Sequence, residues 1–500
     1  MKFVYINYFR IGDAVKKNIT SKMYLDLGIK LTLRGDLENA VTAFGTAIKL
    51  NPQYAPAYNN LGLVFKKIKR PHEAEACFCR AIELKPNDTH AYNNLGLVLM
   101  DLGDLQKAEE CFRIAVKLDP TQSAIYSNLG TILEEINQFA DAEKAYRRAV
   151  ELSPNYPEAH YNLGTFLRVN KQLDEAEYCL RRAVELRSDY WEADLSLANL
   201  YLLQGNFSVG WGKFERLRQK RYEDTYFKIP SWQGENLAGR SILLYWEYGF
   251  GDTIQFVRYA QAVERLAAKT DLWVQKPLGR LITASYPNLT IYTGDCPQQE
   301  QYDYVCSLLS LPVIFNTCNE TIPQAVPYRP ASQTASLTWY NAFEGIDKGN
   351  AYRVGVVWAG HPKHRNNSRR SIPFTIFNNL FSVSKVSWVS LQVGHRAEDL
   401  VETSYNVIDF SRELVDFMET AGLMETLDLV ITVDTSVAHM AGTMGKKTWV
   451  LLPFDPDWRW QLEREDSPWY PSIRLFRQRK AGDWQEVIER VKLALLDELV

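Results

Sequence analysis

The 500-residue chain has no run of about 18 apolar residues, so no membrane-spanning helix is expected. It has no excess charge of either sign. Its 57 Lys and Arg stand against 60 Asp and Glu, a formal net charge of −3, which removes the electrostatic case for nucleic acid or an anionic membrane as partner. Cysteine is scarce: there are 7, an odd number, with no Cys-x-x-Cys pair. Neither a disulfide framework nor a structural zinc site is suggested, and free thiols in a reducing compartment are expected. The opening "MKFVYINYFRIGDAVKK" lacks a signal-peptide core, because Asn7, Arg10 and Asp13 interrupt it. None of the 21 prolines or 27 glycines forms a low-complexity tract. What remains is a globular composition, 46% hydrophobic and 23% charged, in a chain long enough for roughly two to four domains. A cytoplasmic protein is the default expectation.

What is present, first of all, is a repeat. Leu27-Gly28, Leu61-Gly62, Leu95-Gly96, Leu129-Gly130, Leu163-Gly164 and Leu197-Ala198 recur in one register. Ala40, Ala74, Ala108, Ala142 and Ala176 keep step, as do Phe44, Phe78, Phe112, Tyr146, Leu180 and Phe214. Ala47, Ala81, Ala115, Ala149 and Ala183 form another column, and Pro52, Pro86, Pro120 and Pro154 punctuate the ends. Each unit reads as helix, turn, helix. Small residues let the two helices approach, and Pro is expected to start the next unit's helix, since it lacks the N–H a helix interior needs. These columns resemble the tetratricopeptide repeat, with six units at about 21–222 after an N-terminal extension at 1–20. Gly210 and Leu217 replace two alanines in the last unit, as expected where a solenoid meets another surface. Cys77, Cys111 and Cys179 share a column and read as packing residues, as do Tyr58, Tyr92 and Tyr126.

A solenoid offers a concave groove. Asn59, Asn60, Asn93, Asn94, Asn128 and Asn162 recur on the first helix of successive units. Such a ladder of amides suits either a solvated polar face or an extended protein or peptide partner held by its backbone.

From about residue 239 the pattern changes to short Val, Ile and Leu runs alternating with helical stretches. Strands are expected at 241–247, 271–275, 289–294 and 302–308, with a helix from Asp252 to about Ala268. A second series is expected at 352–360, 386–394, 405–411, 427–434, 447–454 and 473–478. Runs of this kind point to parallel sheets covered on both faces. The reading is therefore an α solenoid followed by α/β, with two Rossmann-like halves at 239–330 and 352–480. A linker would span 331–351 and a C-terminal helix 481–500, the helix packing back across both halves.

Ligands of parallel α/β sheets sit beyond the C-terminal strand ends, so the residues following each strand carry the argument. After the first strand stands "EYGFGDTIQFVRY", where Gly249 and Gly251 permit a tight turn and close backbone approach. Asp252 there is either a helix cap or a general base. After the first strand of the second half, Lys363, Arg365, Arg369 and Arg370 crowd one loop, which suits a phosphate or a solvated surface. His361 and His364 have no carboxylate or Cys partner near them in the chain, so no metal site is expected. In "LDLVITVDTSVAHMAGTMG", Thr435 or Ser436 can cap a helix that Gly445 ends. That helix N-terminus would favour a diphosphate. His439 can reach the same ligand, and Asp434 can accept hydrogen bonds from sugar hydroxyls. Trp358, Trp458, Trp460 and Trp469 either stack on a ligand or pack in the core.

The strings "GFGDTIQFVRY", "DTSVAHMAG" and "LLPFDPDWRWQLEREDSPWYPSIRLFRQ" resemble glycosyltransferase family nine, the family of the bacterial lipopolysaccharide heptosyltransferases, in its tetratricopeptide-fused branch. The resemblance covers most of 239–480. It implies a GT-B fold and inverting transfer from a nucleotide-diphosphate sugar. It implies that Asp252 is the base, that Asp434, Thr435, Ser436 and His439 lie on the donor motif, that Lys363 and its neighbours lie near the phosphates, and that Gln392 is a donor-side contact. Two positions depart from the family pattern: Asn366-Asn367 stands where Asn-Asp is expected, and Phe250 where Leu is usual. No metal is called for where Lys and Arg neutralise the diphosphate, and no cofactor is expected beyond the nucleotide sugar as co-substrate.

Three functions follow. One is a glycosyltransferase whose repeats recruit a protein partner or acceptor. Another is a protein-binding scaffold carrying a relic transferase domain. The last is a different enzyme on the same fold, such as a nucleotide-sugar epimerase or a protein O-linked N-acetylglucosamine transferase.

Overall fold

The computed structural model describes residues 2–222, 227–324, 333–343, 346, 352–364 and 366–499. They form two compact units, one up to Ala193 and one from Asp194 onward.

The first unit is a run of antiparallel helix pairs: α1 (Lys2–Leu33) with α2 (Leu37–Leu50), α3 (Ala55–Lys67) with α4 (Pro71–Leu84), α5 (Thr89–Leu102) with α6 (Leu105–Leu118), α7 (Ser123–Glu135) with α8 (Phe139–Leu152), and α9 (Pro157–Val169) with α10 (Leu173–Leu186). The stretch expected as a separate extension at 1–20 is continuous with the first repeat helix. The glycine column has a steric reason. A Cβ at Gly62 would lie 2.7 Å from the Phe78 ring, at Gly96 2.8 Å from Phe112, and at Gly130 2.6 Å from Tyr146. Each glycine leaves room for the large side chain on the partner helix. Ala74, Ala108 and Ala142 are fully buried beside those rings.

Pro52, Pro86, Pro120 and Pro154 do not open the next helix as expected. Each lies in the inter-repeat turn, two residues past the preceding helix, and the next helix starts at Ala55, Thr89, Ser123 or Pro157. A proline there blocks continuation of the helix just ended. Cys111 and Cys179 are buried, and burial pushes both thiols up to about 11, so they behave as small apolar residues.

The unit boundary falls inside α11 (Trp191–Leu203), so the last repeat groups with the second unit. There Phe207 and Trp211 of α12 (Phe207–Tyr222) join the buried core of the α/β region.

Two parallel sheets follow. In the first, β1 (Ser241–Tyr245), β2 (Lys269–Val274), β3 (Thr290–Thr293) and β4 (Tyr304–Ser307) run in the order β3-β2-β1-β4. The second contains β5 (Tyr352–Val357), β6 (Val386–Ser390), β7 (Val407–Asp409), β8 (Leu429–Val433), β9 (Thr448–Leu452) and β10 (Ile473–Arg477), in the order β10-β9-β8-β5-β6-β7. All ten expected strands are present. Each sheet winds outward in both directions from its first strand, with the order reversing between β1 and β4, and between β5 and β8.

The strands are apolar on both sides because both faces are covered. Ile242 and Leu244 enter one core cluster while Leu243 and Tyr245 enter another, as the period of two requires. The helix expected from Asp252 to Ala268 is shorter: α13 (Phe250–Phe256) gives way to a 3₁₀ turn at Val257–Tyr259 and a further turn at Ala260–Glu264. Within the expected linker, a helix at Gln333–Ala342 carries Trp339, which is buried against Phe410 with its indole N–H directed at Glu419. The C-terminal helix Trp484–Glu498 buries Trp484, Val487, Ile488, Val491 and Leu495 in the core on one face of the second sheet, rather than across both halves. No described helix is long and apolar enough to cross a membrane.

Candidate functional site

The loops that follow β1, β2, β5, β8 and β9 converge on one cavity of about 760 Å³. It opens beyond the C-terminal strand ends, where the order of each sheet reverses, the usual ligand position in open parallel sheets. Gly249, Gly251, Asp252, Lys363, Asp434, Thr435, Ser436 and His439 all line it. Arg365 lies outside the described residues. Gln392 is not among the lining residues. Its Oε1 accepts the backbone N–H groups of Trp358 and Ala359 at 3.3 and 3.0 Å. A strand-end amide in that position shapes the loop after β5 from behind.

Asp252 stands at the third position of α13. Its Oδ2 accepts the Gly249 N–H at 2.9 Å, so it reaches back to the helix start instead of occupying the cap position. Its Oδ1 pairs with Arg459. Arg459 also donates to Asp457 at 2.9 Å and to Gln255 at 2.6 Å. The Asp252 side chain retains 22% exposure. Burial raises its pKa above the usual carboxylate value, opposed by the adjacent guanidinium.

The opposite wall is built by α14 (Ser436–Thr443). Thr435 occupies the cap position but makes no capping side-chain bond; its hydroxyl pairs with Thr432 at 3.3 Å. This departs from the capping expected of Thr435 or Ser436. Gly445 ends the helix as expected: at φ +71° it donates to Gly442 O at 3.1 Å while Lys446 donates to Ala441 O at 3.0 Å. α13 and α14 touch at Gly251, where a Cβ would stand 2.9 Å from His439 Cδ2. The missing side chain is what lets the two motifs meet.

His439 is 5% exposed, stacks on Trp460 at 5.4 Å, and its Nδ1 lies 3.0 Å from the Tyr470 hydroxyl. Burial and the neighbouring Arg459, Arg258 and Arg370 hold its pKa well below the ordinary imidazole value. It is a neutral hydrogen-bonding group, not the cation that an ionic role toward a diphosphate would need. Asp434 faces Asp457. Burial first, and that carboxylate second, push it up to about 6, with Arg370 opposing.

The loop after β5 supplies cations. Lys363, Arg369 and Arg370 line the cavity, joined by Lys276 from the other half. Arg370 donates to Asp434 O at 2.9 Å. Its Nε is buried with no hydrogen-bond partner among the described residues. Gly360 makes room for this guanidinium, since a Cβ there would fall 2.6 Å from Arg370 Nη2. Asn367 does not line the cavity; its Oδ1 accepts the Ser371 hydroxyl at 2.9 Å, and Ser371 accepts the Gly360 N–H at 3.1 Å. His361 and His364 also line the cavity, and each is tied to its own loop: His361 Nδ1 accepts the Lys363 N–H and His364 Nδ1 the Asn366 N–H. Trp358, Trp458, Trp460 and Trp469 are all buried, which decides for packing over stacking on a ligand.

Asp457 and Arg459 are among several lining residues that the sequence alone does not mark. Their only signal was membership of the long aromatic string at 451–478. In the repeats, the asparagine ladder is partly self-bonded: Asn94 donates to Asn59 at 3.0 Å and Asn128 to Asn93 at 2.8 Å. These bonds tie adjacent repeats and orient the amides.

Models of the tetratricopeptide repeat match residues 28–69, 55–88, 89–155 and 127–190. Residues 28–190 are therefore tetratricopeptide repeats, a protein-binding architecture. Protein FlbA of Caulobacter vibrioides is 24% identical over 329 residues, which are 60% of this chain and 54% of that protein. The chain thus spans only about half the length of this relative. Among solved structures, Pseudomonas aeruginosa pilF is 19% identical, covering 42% of this chain and 95% of its own, with a TM-score of 0.38. A thermophilic tetratricopeptide protein of Thermus thermophilus is 22% identical, covering 36% and 99%, with a TM-score of 0.33.

Proposed function

We propose that the second unit is a glycosyltransferase of GT-B type and the first recruits its protein or peptide acceptor or partner. The observation that carries this reading is the convergence of Asp252, the uncapped start of α14 and the Lys363–Arg370 loop on one cavity. The α14 N–H groups and the cations of that loop suit a nucleotide diphosphate. In the reaction, an acceptor hydroxyl oxygen attacks the anomeric carbon, and the bond from that carbon to the diphosphate oxygen breaks. Asp252 takes the hydroxyl proton. Arg370 and the α14 dipole stabilise the departing diphosphate. His439, held neutral, orients the site by hydrogen bonding.

A non-catalytic scaffold is the second reading. It draws support from Asp252 having both oxygens already engaged, by Gly249 and by Arg459.

The test is thermal unfolding of the full chain against ADP, GDP, UDP, CDP and dTDP, with Arg370→Ala beside the wild type. A ligand at about 100 times its Kd adds roughly 2.7 kcal/mol to the native state. One diphosphate is expected to raise the midpoint and to lose its effect in the variant. No shift with any of the five would overturn the transferase reading.

A further inference from the structure

We propose that α12, the last helix of the repeat series, is a brace that positions the Asp252–Arg459 pair, with Arg218 as its positioning residue. The effect on turnover rests on the transferase reading; the mechanical claim does not. Phe207, Trp211, Glu215 and Arg218 share one face of α12, at spacings of three and four residues. That face touches both sides of the pair. The Trp211 ring lies 5.8 Å from Phe256, the last residue of the helix carrying Asp252, and 5.0 Å from Trp458, which precedes Arg459.

Two turns along, Arg218 donates to Glu215 at 2.9 and 2.7 Å and to Glu247 at 3.3 Å. Ser307, at the end of β4, donates to Glu247 at 2.5 Å, and Ser310 donates to Glu215 at 3.0 Å. The three ionic side chains are only 5%, 9% and 8% accessible. Charges so far from water persist only when paired and hydrogen-bonded.

Glu247 is where the brace meets the site. The next residue, Tyr248, lines the cavity at φ +58°, a left-handed conformation that a non-glycine residue holds only when its neighbours impose it. Glu247 is pinned on one side of this strained residue by Arg218 and Ser307. Gly249 is pinned on the other by Asp252. No described α12 residue lines the cavity, so Arg218 acts through Glu247 and the loop.

The experiment is hydrogen–deuterium exchange on the full chain, comparing wild type, Arg218→Met, Arg218→Lys and the neutral triple variant Glu215→Gln/Arg218→Met/Glu247→Gln. The triple variant leaves no buried charge unpaired and answers the question if Arg218→Met fails to fold. The amides of 246–252 are expected to exchange about tenfold faster in it, with β5–β10 and α1–α10 unchanged and Arg218→Lys intermediate. Unchanged loop exchange overturns the brace. So does acceleration spread evenly over the whole second unit, which would mark the network as general architecture. In turnover, kcat falls while KM for the nucleotide sugar holds; a change in KM alone also overturns it. A wild type that binds no nucleotide diphosphate and forms no product sinks the transferase reading, while the exchange data still judge the brace.

Discussion

Replacing Asp434 by asparagine should stabilise the protein at neutral pH, and less so in acid. The side chain lines the cavity, half-buried near Asp457, and its pKa stands at about 6 against an ordinary 3.8. A carboxyl whose folded pKa is raised binds protons more readily in the native state than in the unfolded one. Stability therefore falls as pH rises from about 4 through 6, and the loss is complete above the folded value. At pH 7.5, above the folded value, the penalty is complete and is on the order of 1–3 kcal/mol. The asparagine variant never ionises at this position and avoids that penalty, less whatever Asp434 gains from Arg370. The expected difference is about 1–3 kcal/mol in favour of Asp434→Asn at pH 7.5, shrinking to roughly a third of that at pH 4.5. Urea unfolding of both proteins at the two pH values, followed by tryptophan fluorescence of the second unit, reads it directly. A variant equally destabilised at both would refute the claim that Asp434 is held in an environment hostile to its charge.

Other outcomes follow from the same geometry. Gly251→Ala improves helix propensity by up to about 1 kcal/mol, yet its Cβ would meet His439 at 2.9 Å; a lowered thermal midpoint is expected, and a raised one would show that α13 and α14 part freely. Asp252→Asn keeps an acceptor for the Gly249 N–H but cannot take a proton. Turnover should fall about 10²–10⁴-fold in product analysis with the fold intact, and a full rate would sink the base assignment. Gly96→Ala places a Cβ 2.8 Å from the Phe112 ring and should cost about 1–3 kcal/mol in the solenoid transition, followed by circular dichroism. Because an ionised Asp434 repels a diphosphate, nucleotide affinity measured by calorimetry should rise as pH falls from 7.5 toward 6, and Asp434→Asn should flatten that dependence.

Much of the fold was legible in the residues because the signals are local. The repeat register follows from side chains that meet within one helix pair: Gly62 faces Phe78 and Gly96 faces Phe112, sixteen positions on each time. The ten strands were legible because burial on both faces demands continuous apolar runs. The prolines stand on the other side of the turn from the one expected, since ending one helix and starting another use the same missing N–H. The donor-side role that the family resemblance implies for Gln392 is not legible locally, because a polar residue at a strand end looks the same whether it faces a ligand or two backbone amides.

The sequence by itself determined that the chain is a tetratricopeptide solenoid followed by parallel α/β layers, and which loops follow the strands. Those properties depend on periodicity and steric fit between near neighbours. Only the tertiary structure decided that Asp252 meets Arg459, that Gly251 lets α13 rest on His439, and that the last repeat joins the α/β core. It alone decided the charge states of His439 and Asp434, because a pKa is set by burial and by charges brought close in space, which linear spacing does not record.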